Sequence, residues 1–136
     1  MPVVLVDRIS PEDCLRYPAW RFLFGDNALR KGRGGQAEIR GMPNAHGIRT
    51  KLYPSTGSPT FYMSDEEFVE NCEMIDEDLR PVFFWLSQNK TVVRPRRIGH
   101  GLAELDIRAP LTFAYLTVRL ESLSTFFNVM DGYAEL

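Results

Sequence analysis

The stretch Trp20-Arg21-Phe22-Leu23-Phe24-Gly25-Asp26-Asn27 joins an apolar run of strand length to a glycine and two short polar residues. A glycine-rich segment, residues 28–38, follows at once and leads into residues that can start a helix. This order predicts polar groups at the carboxyl end of a buried strand, where open α/β sheets bind ligands. The glycine spacing matches neither the dinucleotide fingerprint nor the P-loop, so a glycine-rich surface turn without a ligand is the alternative.

A second unit of the same kind lies near residue 100. Residues 91–94 have the composition of a short buried strand, and Gly99-His100-Gly101 then precede a helix start. If the two strands are neighbours in a parallel sheet, both glycine turns open on the same edge and can enclose one ligand. The duplication favours a binding site over a plain surface turn.

Apolar runs alternate with helix signals along the chain, which predicts a single three-layer α/β domain over residues 1–136 with a mainly parallel sheet. Residues 60–63 are a candidate for a further short strand in a hairpin with residues 47–52, which would make the sheet mixed. Residues 126–130 are a candidate edge strand, followed by a frayed end over residues 131–136. The four principal strands are predicted at residues 3–6, 20–24, 47–52 and 91–94.

Three helix starts follow from capping chemistry. Ser10-Pro11-Glu12-Asp13 has an N-cap serine, a proline at the first helical position and acidic residues in the first turn. Ser64-Asp65-Glu66-Glu67 has the spacing of a capping box, and Ala109-Pro110 opens the last clear helix. Pro81 fits only a first turn, so two helices or one sharply bent helix are expected between residues 64 and 88.

Length and charge exclude several classes of protein. With 136 residues and 44% hydrophobic residues, the chain can bury one core, and its net charge of −2 gives no electrostatic reason to expect nucleic acid or an anionic membrane as partner. A local cationic cluster nevertheless flanks the two glycine turns, which suits an anionic small molecule. Its members are Arg30, Lys31, Arg33, Arg94, Arg96 and Arg97.

Cysteine and histidine usage points to a reducing compartment without a metal site. Cys14 and Cys72 have neither metal-ligand nor redox spacing, and His46 and His100 are too few for a zinc site built from sequence neighbours. We expect no metal and no cofactor. The start of the chain lacks the pattern of a signal peptide, and no apolar run approaches the roughly 20 residues that cross a bilayer. A cytoplasmic protein is expected.

Several segments resemble an uncharacterised domain family of bacteria and their phages. They are Phe22-Leu23-Phe24-Gly25-Asp26-Asn27 with Gly32-Arg33-Gly34-Gly35-Gln36-Ala37, residues 40–51, and residues 98–105 with Ala109-Pro110. The motifs are specific, and the resemblance covers roughly residues 3–123. It implies no particular activity.

A remoter resemblance is to macro domains, which bind ADP-ribose. Asn27 with Gly32, Gly34 and Gly35 resembles their asparagine and first glycine turn, and residues 99–101 resemble the second glycine loop, which holds the diphosphate. The resemblance implies a macro-like fold and a nucleotide ligand. A Rossmann-like domain that senses nucleotide signals or cleaves a phosphoribosyl bond is the alternative.

The leading hypothesis is a phosphorylated nucleotide, such as ADP-ribose, bound between the two turns, in a setting of conflict between phage and host. Glycine N–H groups would contact phosphate, and Asp26 or Asn27 would contact a ribose. The predicted binding residues are Gly25, Asn27, Gly32, Gly34, Gly35, Gln36, Asn44, Thr50, Lys51, Gly99 and Gly101.

Two other functions stay open. The same pocket would suit a hydrolase, with Asp26 and His100 as the catalytic candidates and Glu38 and Glu104 as further acids or bases. The aromatic carboxyl end would suit a module that docks onto a host protein or forms a homodimer. Its aromatic residues are Tyr115, Phe126, Phe127 and Tyr133.

Overall fold

The computed structural model describes residues 2–133, and within them a five-stranded, wholly parallel sheet crosses the middle of the molecule. The strand order is β3-β2-β4-β1-β5. The common Rossmann order would place β1 between β2 and β4, whereas here β4 lies between β2 and β1. The strands are β1 (Val3–Val6), β2 (Arg21–Asn27), β3 (Ala45–Lys51), β4 (Val92–Pro95) and β5 (Val129–Asp131).

Helices cover both faces of the sheet, so the predicted three-layer α/β architecture is confirmed. One face carries α1 and the 3₁₀ helix Gly35–Ile39, and the opposite face carries α2 and α4. The α-helices in the described part of the chain are α1 (Pro11–Arg16), α2 (Phe68–Ser87), α3 (Leu105–Arg108) and α4 (Pro110–Phe126). Short 3₁₀ helices lie at Gly35–Ile39, Pro59–Phe61, Asp65–Glu67 and Gly101–Ala103.

The strands are apolar because both faces of the sheet are covered. Successive side chains of a strand point to opposite faces. Val3 therefore packs into the core beneath α2 and α4, while Val4 packs into the core beneath α1. Val92 and Val93 of β4 divide in the same way, and all four valines are fully buried.

The capping signals fix two helix starts as predicted. Ser10 Oγ accepts the N–H of Asp13 at 3.3 Å, and Asp13 Oδ2 accepts the N–H of Ser10 at 3.0 Å. Pro110 opens α4. Ser64 differs in detail, because its Oγ accepts from the N–H of Glu66 and starts the 3₁₀ turn that precedes α2.

Pro81 does not divide the helix, so the predicted alternative of two helices is wrong, and the other alternative, one sharply bent helix, stays a prediction. The helix α2 runs unbroken through it from Phe68–Ser87. A proline inside a helix costs about 3 kcal/mol because one backbone hydrogen bond is lost. Burial of one helix face offsets that cost, since Ile75, Leu79 and Val82 are fully enclosed in the core.

The predicted strand at residues 60–63 is wrong, so the sheet is not mixed. The N–H groups of Leu52 and Tyr53 both donate to the single carbonyl of Phe61, which leaves no ladder to extend. Ser58 caps the 3₁₀ helix Pro59–Phe61 in its place. An edge strand parallel to β1 is confirmed, but β5 is shorter than the predicted residues 126–130 because α4 extends to Phe126. Asp131, predicted to be frayed, is the last residue of β5, and residues 134–136 lie outside the described residues.

The connections after β2 and β4 leave the sheet on opposite faces. The segment after β2 leads to the 3₁₀ helix on the α1 face, and the segment after β4 leads to α3 and α4 on the other. These two strands are parallel neighbours. Adjacent parallel strands whose connections diverge leave a crevice at their carboxyl ends, and the candidate site lies there.

Candidate functional site

A cavity of about 380 Å³ opens at the carboxyl edge of β2 and β4. The glycine-rich loop after β2 forms one wall and the glycine turn after β4 forms the other. The end of β3 contributes Thr50 and Lys51. Both glycine turns therefore face the same space, although some 65 residues separate them in the chain.

Of the predicted binding residues and the two principal catalytic candidates, all but Asn44 lie on this cavity. Asn44 does not, because its side-chain amide donates to the carbonyls of Cys14 (3.0 Å) and Tyr17 (3.1 Å) and ties β3 to α1. The predicted residues that line the cavity are Gly25, Asp26, Asn27, Gly32, Gly34, Gly35, Gln36, Thr50, Lys51, Gly99, His100 and Gly101. The further candidate acids or bases, Glu38 and Glu104, do not line it and instead pair with Arg8 and Arg108.

Lys51 lines the cavity and carries a buried positive charge. The residue is only 6% exposed, and its Nζ donates to the carbonyl of Ser55 at 2.7 Å and lies 4.7 Å from the ring centre of Tyr62. Within residues 2–133 no carboxylate lies within ion-pair distance of Nζ. Burial lowers the pKa of the Lys51 ammonium, and the more distant Glu104 only partly opposes that effect. An anion in the cavity would satisfy this group.

Backbone N–H groups add further donors on both walls. Among residues 2–133 the N–H groups of the two turns find no protein acceptor at Gly34, Gly35, Gln36, His100, Gly101 and Leu102. Gly99, between them, adopts φ +96°, and a Cβ there would lie 3.2 Å from Leu105. A glycine is therefore needed for the second turn to take this path.

Gln36 joins the two walls instead of pointing freely into the cavity. Its Oε1 accepts the N–H of Gly25 at 2.7 Å, and its Nε2 donates to the carbonyl of Arg97. One side chain therefore links β2 to the segment after β4. The two contacts fix the width of the crevice at its base.

Asp26 is held by arginines. Its Oδ2 accepts from Arg30 Nη1 at 2.9 Å, and its Oδ1 accepts from Arg40 Nη2 and from the N–H of Asn27 at 2.7 Å. Burial alone would raise the pKa of this carboxyl, but the hydrogen bonds from Arg40 and Arg30 outweigh burial and lower it. Both oxygens are engaged, which suits positioning of the loop better than proton transfer.

The charge network continues from Arg30 to the helix α2. Arg30 Nη2 donates to Asp78 Oδ1 at 2.7 Å, and Arg49 Nε donates to Asp78 Oδ2 at 3.0 Å. Arg30 Nη1 also donates to the carbonyl of Gly47 at 3.0 Å. The glycine loop is thereby anchored to β3 and α2.

Asn27 uses its side chain within the turn. Its Oδ1 accepts the N–H of Leu29 at 3.1 Å, and its Nδ2 donates to the carbonyl of Lys31 at 2.7 Å. This is the side-chain turn that asparagine favours. The contacts favour the turn role over a ribose contact.

His100 lies on the second wall beside a carboxylate. Its Nδ1 is 3.3 Å from Asp106 Oδ2, and its ring packs edge-on against Phe113 with centroids 4.8 Å apart. Asp106 belongs to α3 and was not among the predicted site residues. No residue spacing in the sequence pointed to it.

The cavity carries more positive than free negative charge. Lys31 and Arg97 line it together with Lys51, while the carboxylate of Asp26 is neutralised by its arginines. Lys31 and Arg97 belong to the cationic cluster seen in the sequence but were not predicted as site residues. Between residues 2 and 133, no group of three or more His, Cys, Asp or Glu side chains is arranged to hold a metal ion.

Comparison with known families gives one assignment. Residues 4–119 match the Family of unknown function (DUF7831). The chain belongs to this family. The expectation of an uncharacterised domain family is thus confirmed. No match was found among curated proteins or among solved structures.

The DUF7831 region contains the whole cavity, since every lining residue lies between Gly25 and Ala103. The edge strand β5 lies beyond the matched residues. No helix in the part of the chain that the structure describes is long and apolar enough to cross a membrane.

The aromatic residues at the carboxyl end of the DUF7831 chain do not form one exposed patch. Phe126 is 73% exposed, but Tyr115 donates its hydroxyl to Asp76 and Phe127 packs against the core. Tyr133 stacks on Tyr17 with centroids 5.6 Å apart. This arrangement gives the docking alternative little support.

Proposed function

We propose that the cavity binds a phosphorylated nucleotide between its two glycine turns. The observation that carries the proposal is Lys51, a buried lysine that lines the cavity and has no carboxylate partner among residues 2–133. Leaving a buried charge unpaired costs free energy, so such a group favours a bound anion. A phosphate is the anion that unpaired backbone N–H groups in glycine turns also suit.

The size and the lining of the cavity agree with a ligand larger than phosphate alone. About 380 Å³ falls in the range of small-molecule sites, which begins at about 300 Å³. Pro54, Ala37 and Leu102 give the cavity apolar surface beside the cationic groups. A nucleotide offers both an apolar ring and an anionic group.

The expected affinity is micromolar. Each hydrogen bond to a charged group contributes about 1.5–3 kcal/mol, and four or five of them offset the cost of association. A dissociation constant of about 1 μM corresponds to roughly −8 kcal/mol.

Calorimetry with ADP-ribose, NAD and cyclic nucleotides tests the proposal. We expect one of them to bind, and we expect Lys51→Met to weaken that binding at least roughly tenfold, the loss of about 1.4 kcal/mol. Lys90→Met is the matched control, because Lys90 precedes β4 at the opposite edge of the sheet. Absence of binding across the panel would overturn the proposal.

Gly34→Val tests the same site by filling space beside the first glycine turn. A Cβ at Gly34 would lie 3.7 Å from Leu102, an ordinary contact, so the fold tolerates the side chain. The added methyl groups would occupy space that a phosphate needs beside the turn. We expect nucleotide binding to be lost while the melting temperature stays at its wild-type value. If affinity and melting temperature both fell, the turn would serve the stability of the fold and not ligand binding.

A further inference from the structure

His100 and Asp106 form a pair that the binding of a ligand does not require. His100 Nδ1 lies 3.3 Å from Asp106 Oδ2, and the ring is held edge-on against Phe113. For the described part of the chain, no protein group forms a hydrogen bond with Nε2 of His100. The side chain is about one-third exposed and lies on the cavity wall.

A carboxylate at Nδ1 decides which imidazole nitrogen carries the proton. The charge of a carboxylate 3.3 Å from Nδ1 favours the tautomer that carries its proton there, so Nε2 keeps a lone pair that can take a proton. Asp106 would thus favour one tautomer, while the packing on Phe113 holds the ring in one orientation. This is the arrangement that makes a histidine a general base.

We propose that His100, positioned by Asp106, is the general base for hydrolysis of a phosphoanhydride in the bound nucleotide. The inference rests on the proposed function, since it needs a phosphate in the second glycine turn. His100 stands between Gly99 and Gly101 in that turn, so its side chain projects from the backbone that would hold the phosphate. The bond nearest to this base is therefore one at phosphorus.

The step needs no further reactant than water. The oxygen of water forms a bond to phosphorus while its proton passes to His100 Nε2. The bond from phosphorus to the bridging oxygen breaks, and its electron pair leaves with the departing phosphomonoester. His100 then returns the proton to solvent, and nothing is oxidised or reduced.

Hydrolysis of a phosphoanhydride also requires no general acid in the cavity. Its leaving group is a phosphate, which departs as a stable anion and needs no proton from an acid. Asp26, the remaining carboxylate on the cavity wall, is engaged by Arg30 and Arg40. One base is therefore sufficient for this bond.

ADP-ribose is the probe, because its diphosphate joins two halves that are separated easily by chromatography. We expect AMP and ribose 5-phosphate as products, with ¹⁸O from labelled water in one of the two phosphates. His100→Gln should lower kcat at least about 100-fold, the usual contribution of a general base, while the Kd measured by calorimetry changes less than threefold. His100→Asn is the second variant, and both should melt as the wild type does.

Asp106→Asn tests the positioning role. The variant should lower kcat about tenfold and leave KM unchanged, because the amide no longer fixes the tautomer. Glu70→Gln, an exposed carboxylate on α2, is the matched control and should leave both constants unchanged.

The outcomes separate this inference from the proposed function. ADP-ribose that binds the wild type without being cleaved, or His100→Gln with the wild-type rate, would overturn the inference and leave the binding proposal standing. Release of adenine would place cleavage at a glycosidic bond and would also overturn it. Absence of binding would overturn both.

Discussion

Asn27 shows how one side chain can satisfy a turn by itself. Its amide spans the segment from Leu29 to Lys31, accepting one backbone N–H and donating to a carbonyl. Asparagine is frequent at ligand sites and in turns, so the residue type does not separate the two roles. The hydrogen-bond partners of the Asn27 side chain separate the two roles.

We expect Asn27→Ala to lower the free energy of unfolding by about 1 kcal/mol, the typical cost of losing a side chain that satisfies backbone N–H groups. Urea denaturation measures this directly. Asn128→Ala, at an exposed asparagine near the carboxyl end, is the control and should change little. A variant of Asn27 with unchanged stability but tenfold weaker nucleotide binding would point instead to a ribose contact.

Asp26 is the carboxylate that pairs with two arginines near the first glycine turn. It is 4% exposed and receives hydrogen bonds from Arg30, Arg40 and the N–H of Asn27. Its lowered pKa means that the ionised form stabilises the folded state at any pH above its unfolded value of about 4. That contribution is lost as the pH falls through the lowered folded value.

Asp26→Asn should therefore cost about 3 kcal/mol at pH 7, because two arginines lose their buried partner. The difference in unfolding free energy between wild type and variant should shrink as the pH falls from about 5 to below 4. Denaturant titrations at pH 7, 5, 4 and 3 measure it. Asp65 also has a lowered pKa, but it is present in both proteins and cancels in the comparison. A difference that is constant with pH would contradict this role.

The contact between β2 and β3 depends on the absence of a side chain at Gly47. Asp26 crosses over β3 at Gly47, where an added Cβ would lie 2.3 Å from Asp26 Oδ2 and 2.7 Å from its Cβ. Arg30 holds both sides of this crossing, since it bonds Asp26 and the carbonyl of Gly47. The two strands cannot separate to make room without breaking those bonds.

Gly47→Ala should accordingly destabilise the fold by about 3 kcal/mol, at the upper end of what an overpacked methyl group costs. Thermal denaturation provides the measurement. Gly34→Ala is the matched control, because the nearest atom to its Cβ would be 3.7 Å away. Equal melting temperatures for the two variants would show that β2 and β3 can move apart.

The molecule as a whole brings its two glycine turns together through strand order. The chain leaves β2 toward one face of the sheet and β4 toward the other, and the two strands are hydrogen-bonded neighbours. Segments about 65 residues apart therefore form one crevice. Neither turn forms a cavity alone.

Hydrogen exchange should report this arrangement. Six backbone N–H groups of the two turns, those of residues 34–36 and 100–102, have no protein acceptor among residues 2–133, so they should exchange quickly in the free protein. A bound nucleotide should slow exchange in residues 32–36 and 97–103 together and leave α1 unchanged. Mass spectrometry with and without ligand measures the effect. Protection confined to one of the two segments would contradict a site shared by both.

Local chemistry made much of the fold predictable. Residues 3–6 and residues 91–94 indicated buried strands, and Ser10 with Pro11 fixed a helix start, because these signals act within a few residues. The predicted strand at residues 60–63 failed for a tertiary reason. Phe61 offers one carbonyl to two N–H groups, and no ladder forms around it.

The sequence by itself determined that this chain has a mainly parallel α/β fold with two glycine turns after buried strands. Only the tertiary structure decided that β4 lies beside β2, that Asp26 and Gln36 hold the crevice together, and that Asp106 stands beside His100. Turns, caps and strands depend on neighbours in sequence. Ion pairs and cavities depend on side chains that come into contact only when the sheet has formed. Strand order decides which side chains those are, and no local sequence pattern specifies strand order.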